Sequence, residues 1–260
     1  MRTALSTIGC LEMDRLEPDP SKQVELVDSI LKGLEAASKL MFRPWKAIYC
    51  ALWMSPEGRE LRRVSKISRN FTEKYLNCLR EDVSSTKARE RTYLSGLYSE
   101  EYSQKIATEN FVREEAATIA VSGTETTAGA LSYALALLGL YPEWQEMAQR
   151  QLDQVFGGGG DFLRSVTTAD MSHLTVIDAI VKETLRLFPT APVGTRLAAE
   201  DIPLAGGRYV APRGCCVFLA FYLMHRNPEL FPDPDKFDPG RFLPGGSATS
   251  RRSPANNYFT

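Results

Sequence analysis

The stretch NFVREEAATIAVSGTETTAGALSYALALLGL, Asn110 to Leu140, has the length and the apolar content of a core helix. Apolar side chains ring nearly its whole circumference, which predicts burial on several sides. Asn110 can cap its start, with Glu114 and Glu115 near the positive end of the helix dipole, and Pro142 stops it. Into its middle the sequence puts Ser122-Gly123-Thr124-Glu125-Thr126-Thr127. Glycine there loses about 1 kcal/mol of helix propensity. A buried carboxylate without partners costs more. Threonine hydroxyls bond back to the carbonyl four residues earlier and bend helices. These choices predict a local distortion at Gly123 and a groove beside an acid and a hydroxyl. Two readings stand side by side. In one, Glu125 brings protons from solvent and Thr126 places them. In the other, the cluster is a kink or a polar stripe facing a neighbouring helix.

On either side of this helix the texture differs. Gln23 to Leu40 carries Val24, Val27, Ile30, Leu31, Leu34 and Leu40 at helical spacing. Pro44 and Pro56 bracket a short segment with Trp45, Ile48, Tyr49, Leu52 and Trp53, and Gly58 to Val83 is a long amphipathic stretch. Ser84 to Glu101 is polar, a loop or a solvated helix. Downstream, Pro142 to Val155 and Ser172 to Leu187 read as helices, separated by the glycines Gly157 to Gly160. From about residue 190 proline and glycine dominate. Tyr209-Val210 and Val217-Phe218-Leu219 read as short strands around a Pro212-Arg213-Gly214 turn, and Asn227 to Thr260 reads as coil.

Glu183-Thr184-Leu185-Arg186 lies near the end of the Ser172–Leu187 helix. Residues three apart share a helical face, so Glu183 and Arg186 can pair. Alone, the spacing fits an exposed pair of little consequence, and the neighbouring Lys182 fits that reading too.

Composition narrows the function classes. The 260 residues carry 31 Lys plus Arg against 32 Asp plus Glu, so nothing marks a basic nucleic-acid surface. Apolar residues at 43% predict a packed core rather than disorder. Cys10, Cys50, Cys78, Cys215 and Cys216 are scattered and odd in number, which argues against a disulfide framework and for a reducing compartment. The most apolar run, Ala128 to Leu140, is 13 residues, too short to span a bilayer, and no signal segment opens the chain.

Taken together, the motifs resemble the cytochrome P-450 family. Ser122 to Thr127 looks like that family's oxygen-activating helix motif, with serine in the first place. Glu183-x-x-Arg186, in the setting Lys-Glu-Thr-Leu-Arg-Leu-Phe-Pro, looks like its E-x-x-R helix. Phe237-Asp238-Pro239-Gly240-Arg241-Phe242 is similar to its later arginine motif, and His225-Arg226-Asn227-Pro228 and Phe231-Pro232-Asp233-Pro234 fit the same pattern. The likeness is clear over about 110–244, with the flavour of the microsomal, fatty-acid-hydroxylating branch.

The resemblance implies a mainly α fold with minor β, a single partial domain over 1–260. It implies haem-dependent insertion of one oxygen atom from O2 into a lipophilic substrate, with electrons from an NADPH-dependent reductase. Glu125 and Thr126 would relay protons, and Gly123 would let oxygen sit against the helix. Glu183, Arg186 and Arg241 would form a structural triad, Arg196 would meet a haem propionate, and Ala191 to Thr195 would lie near the substrate. Residence at the endoplasmic reticulum membrane, through an N-terminal anchor that these residues lack, is also implied.

One departure matters. The family's F-x-x-G-x-x-x-C loop, whose thiolate is the iron ligand, does not occur in these 260 residues. Cys215 and Cys216 fall in a predicted strand and read as core packing. His173 and His225 read as structural. The expectation is a fragment of a monooxygenase that does not itself bind haem natively; the alternatives are a catalytically dead truncated product or a helical binding module.

Overall fold

The structure is a computed structural model that describes residues 19–41, 52, 54–84, 109–157, 164 and 166–247. The chain divides into two compact units, Met1–Ala128 and Gly129–Thr260. Among the described residues the elements are mostly helices with four short strands.

In the first unit, helices α1 (Pro20–Met41) and α2 (Pro56–Ser84) pack against each other. Asp19 starts α1, its carboxylate accepting the amide and the hydroxyl of Ser21 at 2.9 and 2.7 Å. Ser29, Ile30, Gly33 and Ala36 form the buried row of α1. Gly33 is required there, since a Cβ on it would stand 2.8 Å from Cγ1 of Val64. Small residues thus let the two backbones approach closely. Ser55 opens α2, its hydroxyl accepting the Gly58 amide at 2.9 Å. Both helices match the periodicity of the sequence. Ser84, the first residue of the stretch expected as a loop or a solvated helix, is the last of α2, and the rest of that stretch lies within 85–108, which with 42–51 is outside the described residues.

Helix α3 (Glu109–Leu140) runs without interruption through Gly123. The local distortion expected at the glycine does not interrupt the helix, since the residues on both sides of it stay helical. Asn110 lies inside the helix and is not its cap.

The second unit holds the rest of α3, then α4 (Pro142–Phe156), the short α5 (Thr168–Met171) and α6 (Thr175–Leu187). Pro142 at the first position of α4 makes the sharp corner after Tyr141. The helix expected from Ser172 starts at Thr175, because Thr167 and Asp170 cap α5 separately and Ser172-His173 form a turn. Leu137, Ala148, Ile180, Leu187 and Phe237 make the core, with Tyr141 and Trp144 packed on it. Burial on several sides of α3 is not observed in this unit. Ala134 and Leu137 are buried, while Leu131, Leu135 and Leu140 are exposed, since α4 and α6 cover one side only.

Strands β1 (Gly194–Leu197), β2 (Ile202–Leu204), β3 (Tyr209–Ala211) and β4 (Cys216–Leu219) follow. β1 pairs with β4 and β2 with β3, both antiparallel. The two runs around Pro212-Arg213-Gly214 are indeed strands, but that turn closes no hairpin between them. It carries the chain from one two-stranded sheet to the other. The partners Gly194–Leu197 and Ile202–Leu204 carried no alternation strong enough to mark them beforehand. A short helix α7 (Phe221–Met224) and a 3-10 turn at Pro239–Phe242 complete the described chain.

Candidate active site

The polar motif of α3 is built from hydroxyls bonded to the helix itself. Thr126 Oγ1 donates to the carbonyl of Ser122 at 2.7 Å, Ser122 Oγ to that of Thr118 at 2.7 Å, and Thr118 Oγ1 to that of Glu114 at 2.9 Å. The residues are four apart, so their hydroxyls climb one face of the helix. Glu125 is half-buried rather than fully enclosed, and Gly123 is likewise half-buried. Glu125 and Thr126 are neighbours in the helix, and the Thr126 hydroxyl is anchored on the Ser122 carbonyl. Such a pair can hold and pass a proton.

The second constellation is buried charge. Glu183 and Arg186 lie one helical turn apart at the C-terminal end of α6, and both are fully buried. Arg186 Nε donates to Glu183 Oε2 at 2.6 Å and Nη2 to Oε1 at 2.9 Å, a bidentate pair. The remaining donors of Arg186 reach the carbonyls of His225, Pro234 and Lys236 at 2.8, 2.6 and 3.1 Å. Its guanidinium also lies 5.1 Å from the ring of Phe231. Glu183 Oε1 further accepts the amide of Asp238 at 2.9 Å. Removing these charges from water is expensive, and this hydrogen bonding is what makes it tolerable. The exposed-pair reading of Glu183 and Arg186 is thereby excluded. Lys182 turns outward instead, to Asp178 at 2.7 Å.

Arg241 joins from the 3-10 turn. Its Nε lies 3.5 Å from Glu183 Oε1, and its Nη2 donates to the carbonyl of Asp233 at 2.9 Å. The side chain is buried. One carboxylate therefore holds two arginines from segments 55 residues apart in sequence, as judged by the Glu183–Asp238 bond beside it. The sequence singled out the three side chains. It did not reveal that backbone carbonyls of His225, Pro234 and Lys236 complete the shell. The signal was the run of prolines at 228, 232 and 234, which fixes the loop that presents them.

Arg196 stands in β1 opposite Val217. It is exposed, and its Nη1 donates to the neighbouring carbonyl of Thr195 at 2.8 Å. Ala191, Pro192 and Val193, just before that strand, are exposed. Cys216 pairs with Leu197 and so projects from the face opposite to Arg196. It is exposed and Cys215 is half-buried, which corrects the expectation that both pack in the core. The cause is that β1 and β4 form a ribbon of two strands, which no third strand joins among the described residues. His225 is buried, edge-on to Phe231 at 6.5 Å, and its carbonyl serves Arg186. His173 lies in the turn before α6.

Among the described residues no His, Cys, Asp and Glu cluster has the makings of a metal site. The exposed guanidinium of Arg196 fits the carboxylate edge of a haem. Cys216 faces away from Arg196 and so does not fit the iron of a haem held there.

A family model described as Cytochrome P450 matches residues 4–258. Cytochrome P450 4V2 of Rattus norvegicus is 33% identical over 243 residues, covering 86% of this chain and 44% of the relative. Cytochrome P450 4V2 of Homo sapiens is 33% identical over 235 residues, covering 82% and 43%. Cytochrome P450 4c3 of Drosophila melanogaster is 36% identical over 137 residues, covering 53% and 25%. Among solved structures, a cyanobacterial CYP120A1 with retinoic acid bound superposes with a TM-score of 0.71 at 20% identity, over 98% of this chain and 53% of that one. The chain belongs to the cytochrome P450 family. It spans less than half the length of these curated relatives, and its mainly helical architecture with a few short strands is a partial form of that fold.

Proposed function

We propose that these residues form part of a longer haem-dependent monooxygenase that inserts one oxygen atom from O2 into a lipophilic substrate. The observation that carries the reading is the acid and alcohol of α3, Glu125 beside a Thr126 hydroxyl held on the Ser122 carbonyl at 2.7 Å. Haem, when bound, supplies the iron chemistry that activates O2. Glu125, half-buried, exchanges protons with solvent. Thr126 keeps its hydroxyl at a fixed point on the helix, its hydrogen on the Ser122 carbonyl and its lone pairs turned to accept from a proton donor. Gly123 leaves that face of the helix without a side chain. Arg196 offers two-pronged hydrogen bonding to a propionate. Glu183, Arg186 and Arg241 hold the loop 225–241 against α6 and so fix the core behind the haem.

The motif resemblance to the fatty-acid-hydroxylating branch supplies the proposed substrate class. The same family membership supports an NADPH-dependent reductase as the electron donor. Residence at the endoplasmic reticulum is part of the proposal, as is the assignment of both units to one domain. Among the described residues no helix is long and apolar enough to cross a membrane, so an anchor would be supplied by another segment.

The test is a read of the native transcript across both ends of this frame, followed by expression of the product with haem. A polypeptide that contains an F-x-x-G-x-x-x-C loop and gives a red-shifted Soret band in its reduced CO complex supports the reading. A product that lacks the loop, or binds haem without that band, overturns it.

A further inference from the structure

On α3, Gly129, Tyr133 and Leu137 stand four residues apart and form one row along the helix. Each meets the chain that leaves α6, in reverse order. Leu137 packs with Leu187 in the core. The Tyr133 ring stacks on Phe188 with centroids 4.6 Å apart and planes 5° from parallel. A Cβ on Gly129 would lie 3.7 Å from Cγ2 of Thr190. The segment Leu187 to Thr190 is thus laid antiparallel along the helix, and Tyr133 supplies its one ring contact. Beyond Thr190 the segment is held at its far end by β1, by the Tyr222 amide on the Pro192 carbonyl at 3.1 Å, and by Gly194 set against the Phe221 ring. Between these fixings the side chains of Ala191, Pro192 and Val193 are exposed.

We propose that Tyr133 is a positioning residue that sets where Pro189–Thr195 lies along α3, and so selects which carbon of the substrate is presented. This rests on the monooxygenase reading for its substrate half, and on geometry alone for its structural half. Phe188 sits at the edge of the core, packed against it but only partly covered. It is the C-cap of α6, with its amide on the Thr184 carbonyl at 2.7 Å, and its ring is only half-buried. The phenol hydroxyl is not needed for stacking, so phenylalanine should replace tyrosine without loss, whereas alanine should release the segment.

Two measurements test this. The first is amide hydrogen exchange of the 260-residue chain. Tyr133→Ala should speed exchange in peptides spanning Phe188–Leu197 by about two- to tenfold, the range an aromatic pair accounts for, and leave Thr175–Leu187 as in the parent. Tyr133→Phe should match the parent. No change at 188–197, or an equal rise throughout α6, overturns the positioning role. The second is the ratio of oxygenation positions on a saturated fatty acid in the longer haem-loaded form. Tyr133→Ala should shift the ratio, and Tyr133→Phe should keep it. An unchanged ratio despite faster exchange overturns the substrate half. If the parent lacks the thiolate signature, the substrate half falls with the reading beneath it, while the exchange result still decides the stack.

Discussion

Gln151 caps a helix that begins 24 residues later. Its side-chain oxygen accepts the amide of Val176 at 2.9 Å and that of Ile177 at 3.4 Å, and its amide donates to Thr175 Oγ1 at 3.1 Å. Helix α6 has Leu174 at its N-cap position, which offers no side-chain acceptor. The orphan donors of the first turn are met from α4 instead. At the other end of α6, Arg226 Nη1 donates to the Leu187 carbonyl at 2.8 Å, where a cation also suits the dipole. Gln151→Ala should therefore lower stability by about 1 kcal/mol, the usual effect of losing a cap. Urea unfolding of the parent and variant chains measures it. An unchanged midpoint would mean that solvent serves those amides equally well.

The Glu183–Arg186 pair predicts asymmetry between single and double variants. Glu183→Ala alone leaves a buried guanidinium without its carboxylate and should cost about 3–5 kcal/mol. Arg186→Met alone should cost about as much, for the mirror-image reason. Glu183→Ala with Arg186→Met removes both charges, and should cost less than the sum of the two single changes. A double-mutant cycle by chemical denaturation gives the coupling, and additive losses would contradict the pairing.

Gly246 is the tightest point behind Arg241. A Cβ there would fall 2.2 Å from the Gly240 carbonyl oxygen and 2.5 Å from that of Arg241. Backbone cannot yield as a flexible side chain does. Gly246→Ala should destabilise by at least about 2 kcal/mol, whereas Gly206→Ala, with nothing within 4 Å but a φ of +67°, should show only the smaller strain of a positive φ. Thermal melts of the two variants, side by side, separate contact from strain.

Acidification should loosen the loop that carries the arginine contacts. Burial of His225 lowers its pKa from the ordinary 6.5, and the charges of Arg186 and Arg226 act in the same direction. The unfolded state then binds the extra proton first. Stability is fully present above about pH 6.5 and declines as pH falls through the depressed folded value. Denaturation midpoints followed from pH 8 downward should drop for the parent, and His225→Gln should flatten that part of the curve.

Much of this was legible in the sequence, for reasons that differ from place to place. Helices α1, α2, α3 and α4 announced themselves because apolar spacing and proline punctuation are local signals. Glu183, Arg186 and Arg241 were marked by motif, yet spacing alone described Glu183 and Arg186 as an exposed pair. Their burial depends on carbonyls contributed near residues 225, 234 and 236, and no local pattern encodes such a meeting. The strands on either side of Pro212–Gly214 were legible, but their partners were not, for a related reason. Strand pairing is a choice of partner, and Cys216–Leu219 pairs with Gly194–Leu197 rather than with its neighbour. At Gly123 intrinsic propensity predicted a local distortion, and the surrounding turns of α3 carry the helix through without interruption.

The hydroxyl ladder of α3 gives that helix face a polarity of its own. Thr118, Ser122 and Thr126 each spend their hydrogen on a carbonyl of the preceding turn. What they present outward is lone pairs. A molecule resting there meets a row of acceptors and no donor from these three, so it is held best when it brings the hydrogen itself, as water or a hydroperoxide does and a bare alkane does not. That face therefore favours a guest carrying its own hydrogen-bond donor over one that carries none.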